Sequence, residues 1–210
     1  MRRLPVYLLL DVSGSMHGEP IEAVKNGMQT IQAALRRDPN AMETAYISII
    51  TFSSDVKQVV PLTEVAQFNP PAISAGGGTA LGEALKVVTD CAEQEVVKST
   101  PEQKGDWKPL VFIMTDGVPT DDPKPGLKRF REYKWGTVVA CSAGSGADIK
   151  LLQEITEIVV SLDTADSATI SAFFKWVSSS IATTSKKVAE QGGESVSELP
   201  PPPAEINLLK

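Results

Sequence analysis

Five oxygen-bearing side chains occupy positions in the sequence where metal chemistry is expected. Asp11, Ser13 and Ser15 lie in one stretch, Asp-Val-Ser-Gly-Ser, directly after an apolar run. Thr79 follows three glycines, and Asp116 comes after a second apolar run. Two carboxylates and three hydroxyls suit a hard divalent cation, because magnesium favours octahedral oxygen coordination and keeps part of its water. These residues therefore predict a magnesium site, with manganese and calcium as alternatives. Zinc is disfavoured because the sequence has no cluster of Cys and His.

The elements around these residues follow an alternation of strands and helices. Unbroken apolar runs at 4–10 and 110–114 indicate strands that are buried on both faces. Apolar residues spaced three and four apart in 19–37 indicate a helix, and similar alternation continues to about residue 184. The short turn at 53–55 joins two predicted strands, which must therefore run antiparallel. The pattern predicts an open, mostly parallel α/β sheet, in which ligands bind at the carboxyl ends of the strands.

Composition and charge exclude several classes of function. The net charge is -6, and Lys and Arg are scattered along the chain, so we expect no nucleic-acid partner and no binding to an anionic membrane. No apolar stretch is long enough to span a bilayer. Cys91 and Cys141 each lie among apolar neighbours, which is typical of buried free thiols in a reducing compartment. We therefore expect a cytoplasmic location.

The composition changes near the end of the sequence. After Lys187 come Gly192 and Gly193, scattered Ser and Glu, and then four consecutive prolines at 200–203. Such a composition does not build a hydrophobic core. The sequence therefore predicts one domain over residues 1–187 and a flexible, proline-rich tail over residues 188–210.

The five candidate residues, taken in order, resemble the metal-ion-dependent adhesion site (MIDAS) of von Willebrand factor A (VWA) domains. The matching parts are the Asp-Val-Ser-Gly-Ser stretch, the threonine after glycines, and the aspartate of Thr115-Asp116-Gly117. The resemblance covers about residues 4 to 185. It implies a Rossmann-like, doubly wound sheet with helices on both faces and one antiparallel edge strand. It also implies a protein partner that offers a carboxylate to the metal.

A finer resemblance concerns the residues that follow three of the predicted strands. The stretch Asp-Val-Ser-Gly-Ser-Met followed by Gly18-Glu19-Pro20-Ile21, together with Thr115-Asp116-Gly117 and Cys141-Ser142-Ala143-Gly144, is similar to bacterial TerY-type proteins linked to tellurium resistance. That resemblance implies a scaffold or adaptor in a cytoplasmic complex for metal or stress response. The partner it implies is a kinase- or phosphatase-like protein.

Two other functions fit part of the pattern. A phosphatase resembling the haloacid dehalogenases uses a strand-end aspartate with magnesium as its nucleophile. That chemistry needs a second acid two positions later, where this sequence has Ser13, so we expect a binding module rather than an enzyme. The other alternative is a scaffold whose cation is purely structural. Each residue alone also has a structural explanation, since Ser15 or Thr79 could simply cap a helix.

Overall fold

The computed structural model describes residues 2–191 and 199–209, and the bounds below refer to that part of the chain. The strands are Leu4–Asp11 (β1), Ala45–Phe52 (β2), Val56–Glu64 (β3), Leu110–Thr115 (β4), Thr137–Ala143 (β5), Ile158–Leu162 (β6) and Asn207–Leu209 (β7). The α-helices are Glu19–Leu35 (α1), Pro39–Thr44 (α2), Leu81–Glu95 (α3), Pro123–Glu132 (α4), Ile149–Ile155 (α5) and Ser167–Gln191 (α6). A short 3-10 turn, Gly14–Met16, lies between β1 and α1.

All seven strands form one sheet in the order β3-β2-β1-β4-β5-β6-β7. The five inner strands are parallel, whereas β3 and β7 run antiparallel at the two edges. β1 lies at the centre, with β2 on one side and β4 on the other. Along the chain, β2 and β3 are added on one side of β1 and the later strands on the other, so β1 lies at the topological switch point of the sheet. In open α/β sheets the crevice beyond the carboxyl ends of the strands at such a switch point is where ligands bind.

Both faces of the sheet are covered by helices. Side chains alternate along β1, so Leu8 joins a core cluster with Met28 of α1 and Phe174 of α6. Its neighbour Leu9 joins the opposite cluster, which includes Leu85 of α3. This arrangement explains the unbroken apolar runs, because a strand covered on both faces has no solvent-facing positions. The predicted α/β architecture, mostly parallel with helices on both faces, is confirmed.

The C-terminal part of the chain differs from the predicted flexible tail. α6 continues past Lys187 to Gln191, and residues 199–209 lie against the domain. β7 pairs with β6, and Ile206 is only 4% exposed. The sheet therefore has two antiparallel edge strands instead of the one expected. The reason is that β6 offers an unpaired backbone edge and the few apolar residues near 206–209 cover it. Residues 192–198 of the predicted tail lie outside the described residues.

The two cysteines are both free. Cys141 is fully buried in β5, and burial raises the pKa of its thiol. Cys91 is half-buried in α3, where burial, with the nearby charge of Glu95, raises its pKa to about 11. Among the described helices, none combines the length and the apolar character needed to cross a bilayer.

Candidate metal centre

Asp11 ends β1 and is completely buried, with 0% of its surface exposed. Its Oδ1 accepts a hydrogen bond from the backbone N–H of Ser13 at 2.8 Å, and its Oδ2 accepts one from the Thr115 hydroxyl at 2.6 Å. Burial raises the pKa of the Asp11 carboxyl; these hydrogen bonds oppose the rise, and the charge of Asp116 adds to it. The fold thus holds a carboxylate where its charged form is disfavoured in the absence of a cation.

Two serines connect the β1 end to the β4 end. The 3-10 turn at Gly14–Met16 folds the chain so that the hydroxyl oxygens of Ser13 and Ser15 lie 3.0 Å apart. The Ser15 hydroxyl then donates to Oδ1 of Asp116 at 2.7 Å. Ser13 is buried, whereas Ser15 is exposed and Asp116 is partly exposed. Oxygens from two separate strands therefore meet at one point, with the buried side formed by β1 and the open side by Ser15 and Asp116.

The glycine-rich loop carries Thr79 to the same place. Gly77 has φ +84°, a left-handed conformation that glycine adopts without strain, and its carbonyl accepts from the N–H of Gly14 at 3.0 Å. The N–H of Thr79 donates to the hydroxyl of Thr120 at 2.9 Å. Thr79 is 5% exposed, and a Cβ added at Gly117 would lie 3.5 Å from its hydroxyl oxygen. The threonine hydroxyl thus lies beside the residue that follows Asp116.

The structure brings all five candidate residues together at the carboxyl ends of β1 and β4. Their role as metal ligands stays a prediction. Sequence reasoning missed two residues that hold the cluster, Thr115 and Thr120. Thr115 is positioned by strand register, because Leu10 lies opposite Met114 and the next pair along is therefore Asp11 and Thr115. The available signal for Thr115 was a hydroxyl residue at the end of the second apolar run. Nothing in the sequence around Thr120 indicates that its side chain contacts the cluster.

Neighbouring loops fix this arrangement from outside. Gly146, in the loop after β5, packs so closely that a Cβ there would lie 2.3 Å from the backbone oxygen of Asp116. The Asp121 carboxylate accepts from the N–H groups of Gly82 and Glu83 at 3.2 and 2.8 Å and so caps α3. Asp121 thus stabilises the first turn of α3, and Asp11 and Asp116 are the carboxylates that line the cluster.

The donor set fits a hard cation. All five side chains present oxygen, and within the described residues no group of three or more His, Cys, Asp or Glu side chains is suited to hold a metal. This donor set of two carboxylates and three hydroxyls differs from the Cys and His ligands typical of zinc sites and from the carboxylate-rich ligands typical of calcium cages. Two ionised carboxylates would balance a dication, and three neutral hydroxyls would add coordination without further charge.

Residues 6–176 match the model of the von Willebrand factor type A domain. The chain belongs to this family. An uncharacterized protein of Synechocystis is 37% identical over 125 residues, which are 55% of this chain and 26% of that protein. This chain therefore matches only about a quarter of its relative's length.

Solved structures share the fold of this VWA domain at low identity. Proximal thread matrix protein 1 from the mussel byssus, with a zinc-occupied MIDAS motif, aligns with a TM-score of 0.56 and 20% identity over 84% of this chain and 46% of its own. The open form of the pilus adhesin SpaC from Lactobacillus rhamnosus GG has a TM-score of 0.67 and 16% identity, over 88% of this chain and 30% of its own. The VWA2 paralog of ArnB from Sulfolobus acidocaldarius has a TM-score of 0.59 and 15% identity, over 86% of this chain and 45% of its own.

Proposed function

We propose that this VWA domain binds a divalent cation, magnesium in the physiological setting, and uses it to bind a protein partner. The observation that carries the proposal is the convergence of Asp11, Ser13, Ser15, Thr79 and Asp116 at the carboxyl ends of β1 and β4. Zinc occupies the MIDAS motif of the mussel protein, which supports the binding of a divalent cation at the corresponding place here.

The distribution of burial supports an ion that is open on one side. Asp11 and Ser13 are buried beneath the cluster, whereas Ser15 is exposed and Asp116 is partly exposed. A cation held by these oxygens would be enclosed by protein on the β1 side and reachable from solvent on the other. One coordination position would then be available to a group from outside.

The charge of the cluster favours an anion as that outside group. With two carboxylates and three neutral hydroxyls, the protein ligands cancel the charge of a dication without exceeding it. Each carboxylate is partly engaged by hydrogen bonds from Ser13, Thr115 or Ser15, so the ion keeps a residual attraction for an anion. A carboxylate from an acidic side chain of the partner has the right charge and hard oxygen atoms.

The setting of this interaction is proposed from the sequence resemblance to TerY-type proteins. That resemblance supports a cytoplasmic scaffold or adaptor in a metal- or stress-response complex with a kinase- or phosphatase-like partner. A phosphatase activity of the chain itself has less support. The position that needs a proton-transferring acid is Ser13, whose hydroxyl is engaged with Ser15 at 3.0 Å.

Metal binding is tested by titrating EDTA-treated protein with Mn²⁺ and counting bound ions by electron paramagnetic resonance, with Mg²⁺ as competitor. We expect one bound ion in the wild type and none in Asp116→Ala at the same concentrations. Asp55→Asn is the matched control, because it removes an exposed carboxylate at the same end of the sheet and should bind normally. Thr79→Ala should weaken binding less than Asp116→Ala, since water can replace a neutral hydroxyl. Equal binding by Asp116→Ala and the wild type would refute the site.

The role of the ion in partner capture needs a second measurement. Surface plasmon resonance on a captured partner, with magnesium and with EDTA, separates a bridging cation from a structural one. We expect EDTA, Asp11→Ala, or conversion of one acidic partner residue to its amide each to abolish the complex while the domain stays folded. Equal affinity in EDTA would leave the cation a purely structural role.

A further inference from the structure

Residues 199–209, here called the proline strap, lie against α6 and the edge of the sheet. At their start, the indole N–H of Trp176 donates to the carbonyl oxygen of Pro200 at 2.8 Å. Trp176 is only 5% exposed. The prolines thus cover an aromatic side chain and satisfy its single hydrogen-bond donor, which is how folded domains commonly bind proline-rich peptides.

The second half of the strap binds by a different mechanism. The N–H of Ile206 donates to the carbonyl of Pro203 at 3.0 Å, and this turn leads into β7. β7 then pairs antiparallel with β6, and the side-chain amide of Asn207 donates to Asp163 at 2.9 Å. Ile206 inserts into the core cluster and is 4% exposed. Strand addition at a sheet edge with one buried apolar anchor is a second established mode of peptide binding.

The strap does not fill the surface it covers. A groove of about 400 Å³ remains between α6 and the strap, and it is lined by Ala168, Ala172, Lys175 and Ser179 on the helix side. Pro200, Pro201, Pro203 and Glu205 line its other side. A volume of this size lies within the range of about 300–1,000 Å³ for ligand pockets. A competing peptide could therefore begin to bind along α6 before the strap has left.

We propose that the face of α6 around Trp176, together with the outer edge of β6, is a peptide-binding site that the strap occupies intramolecularly. The partner it fits is an extended segment of another protein with consecutive prolines and an apolar residue three positions after the last of them, as Ile206 follows Pro203. This site is separate from the candidate metal centre, because it uses β6 and α6 rather than the ends of β1 and β4. Its partner must compete with a tethered segment, whose effective concentration is on the order of millimolar.

The test keeps both the domain and the strap present. Residues 192–198 are replaced by a protease recognition sequence, and the purified protein is cut there. A fluorescein-labelled synthetic peptide of residues 199–209 is then added, and binding is followed by fluorescence anisotropy. We expect saturable binding of one peptide per cut chain. The uncut chain should bind the peptide about a hundredfold more weakly if the intrinsic dissociation constant is near 10 μM, because the tethered strap competes.

Two peptides of matched chemistry locate the anchor. A peptide with Ile206→Ser should bind at least roughly tenfold more weakly, because a buried side chain of this size loses most of its contacts. A peptide with Leu208→Ser should bind within about threefold of the original, because Leu208 is 52% exposed. In the domain, Trp176→Phe keeps an aromatic ring but removes the N–H that donates to Pro200, so it should weaken binding of both peptides equally.

Three results would overturn the proposal. The first is a cut chain that stays folded by circular dichroism but takes up no labelled peptide. The second is a cut chain that unfolds when its strap is washed away, which would make the strap an integral part of the core. The third is an uncut chain that elutes as a dimer and becomes a monomer when residues 199–209 are deleted, because the occupant would then be a second copy of this chain.

Discussion

Replacing Asp11 with Asn should reverse the order of stability between wild type and variant, depending on whether metal is present. Asparagine keeps the size of the side chain. Its oxygen can accept from the N–H of Ser13, and its amide nitrogen can donate to the Thr115 hydroxyl, which can also act as an acceptor. Both hydrogen bonds of the buried position are therefore kept, and only the charge is lost.

The magnitude follows from linkage between metal binding and folding. A cation at a hundredfold excess over its dissociation constant adds about 2.7 kcal/mol to the free energy of unfolding. For a domain of this size each kcal/mol raises Tm by about 2–4 °C, so saturating magnesium should raise the Tm of the wild type by about 5–11 °C. Asp11→Asn removes half of the carboxylate charge that faces the ion, so the variant should no longer bind magnesium at this concentration. Adding magnesium should therefore change the Tm of the variant by less than about 1 °C.

Without metal the order should be the opposite. Burial raises the pKa of Asp11, which means that its ionised form is disfavoured in the folded protein. At pH 7 the variant carries no charge there. In EDTA it should therefore melt at or above the Tm of the wild type.

Differential scanning calorimetry in EDTA, MgCl₂ and MnCl₂ measures all of these values. Asp55→Asn serves as the control and should show the full metal response of the wild type, because Asp55 lies on the surface with Lys57. A wild type that ignores both metals would refute the site. An Asp11→Asn variant that melts several degrees below the wild type in EDTA would show that the fold itself requires the carboxylate.

Three further predictions concern the fold. Deleting residues 199–209 should lower Tm by at least about 3 °C in a calorimetric scan, because one buried apolar anchor is lost; an unchanged Tm would instead support a flexible tail. Gly27→Ala should lower the free energy of unfolding in urea, because its Cβ would lie 2.3 Å from the Phe174 ring, and a clash of about 1–3 kcal/mol exceeds the gain of about 0.5–1 kcal/mol in helix propensity. Gly76→Ala, with no atom within 4 Å of the added Cβ, is its control. The Cys91 thiol should contribute stability that is present below about pH 8.5 and is lost as pH rises through about 11, because its pKa is raised only in the folded state; equal iodoacetamide reactivity of folded and unfolded protein at pH 9 would contradict this.

The placement of the candidate site could be predicted because strand ends are visible in the sequence. Asp11 and Asp116 each interrupt an unbroken apolar run, and a run that is apolar on both faces indicates a strand inside a parallel sheet. Parallel strands end at the same edge of the sheet, so their terminal side chains can be expected on that edge even when the strand order is unknown. Thr79 could be predicted because three glycines before it allow the loop to approach another backbone closely.

The partners of these residues could not be predicted, because they depend on which strands are neighbours. The bond from Thr115 to Asp11 exists only because β4 lies next to β1, although β2 and β3 come between them in the chain. The contact between Thr120 and Thr79 likewise depends on two loops from distant parts of the sequence. Local periodicity carries no information about either pairing.

The proline strap was missed for a related reason. Four prolines preceded by two glycines are typical of a segment that cannot form a core of its own, and the strap does not form one. It packs into a groove that the domain supplies, with Trp176 on α6 and the open edge of β6. Whether such a segment is held depends on the surface that receives it, which is built from residues 158–179 and cannot be inferred from the composition of residues 199–209.

The candidate metal centre and the strap site lie in different parts of one sheet, and this has a consequence for how the domain could bind partners. The ion is expected at the carboxyl ends of β1 and β4, where Ser15 and Asp116 face solvent and would admit a carboxylate. The strap covers β6, which is separated from β4 by β5. A partner that bears an acidic residue at one point and a proline-rich segment at another could contact both sites at once. The second contact would then be intramolecular, so two weak interactions would give a strong complex, and removal of either the metal or the Trp176 contact would reduce affinity sharply.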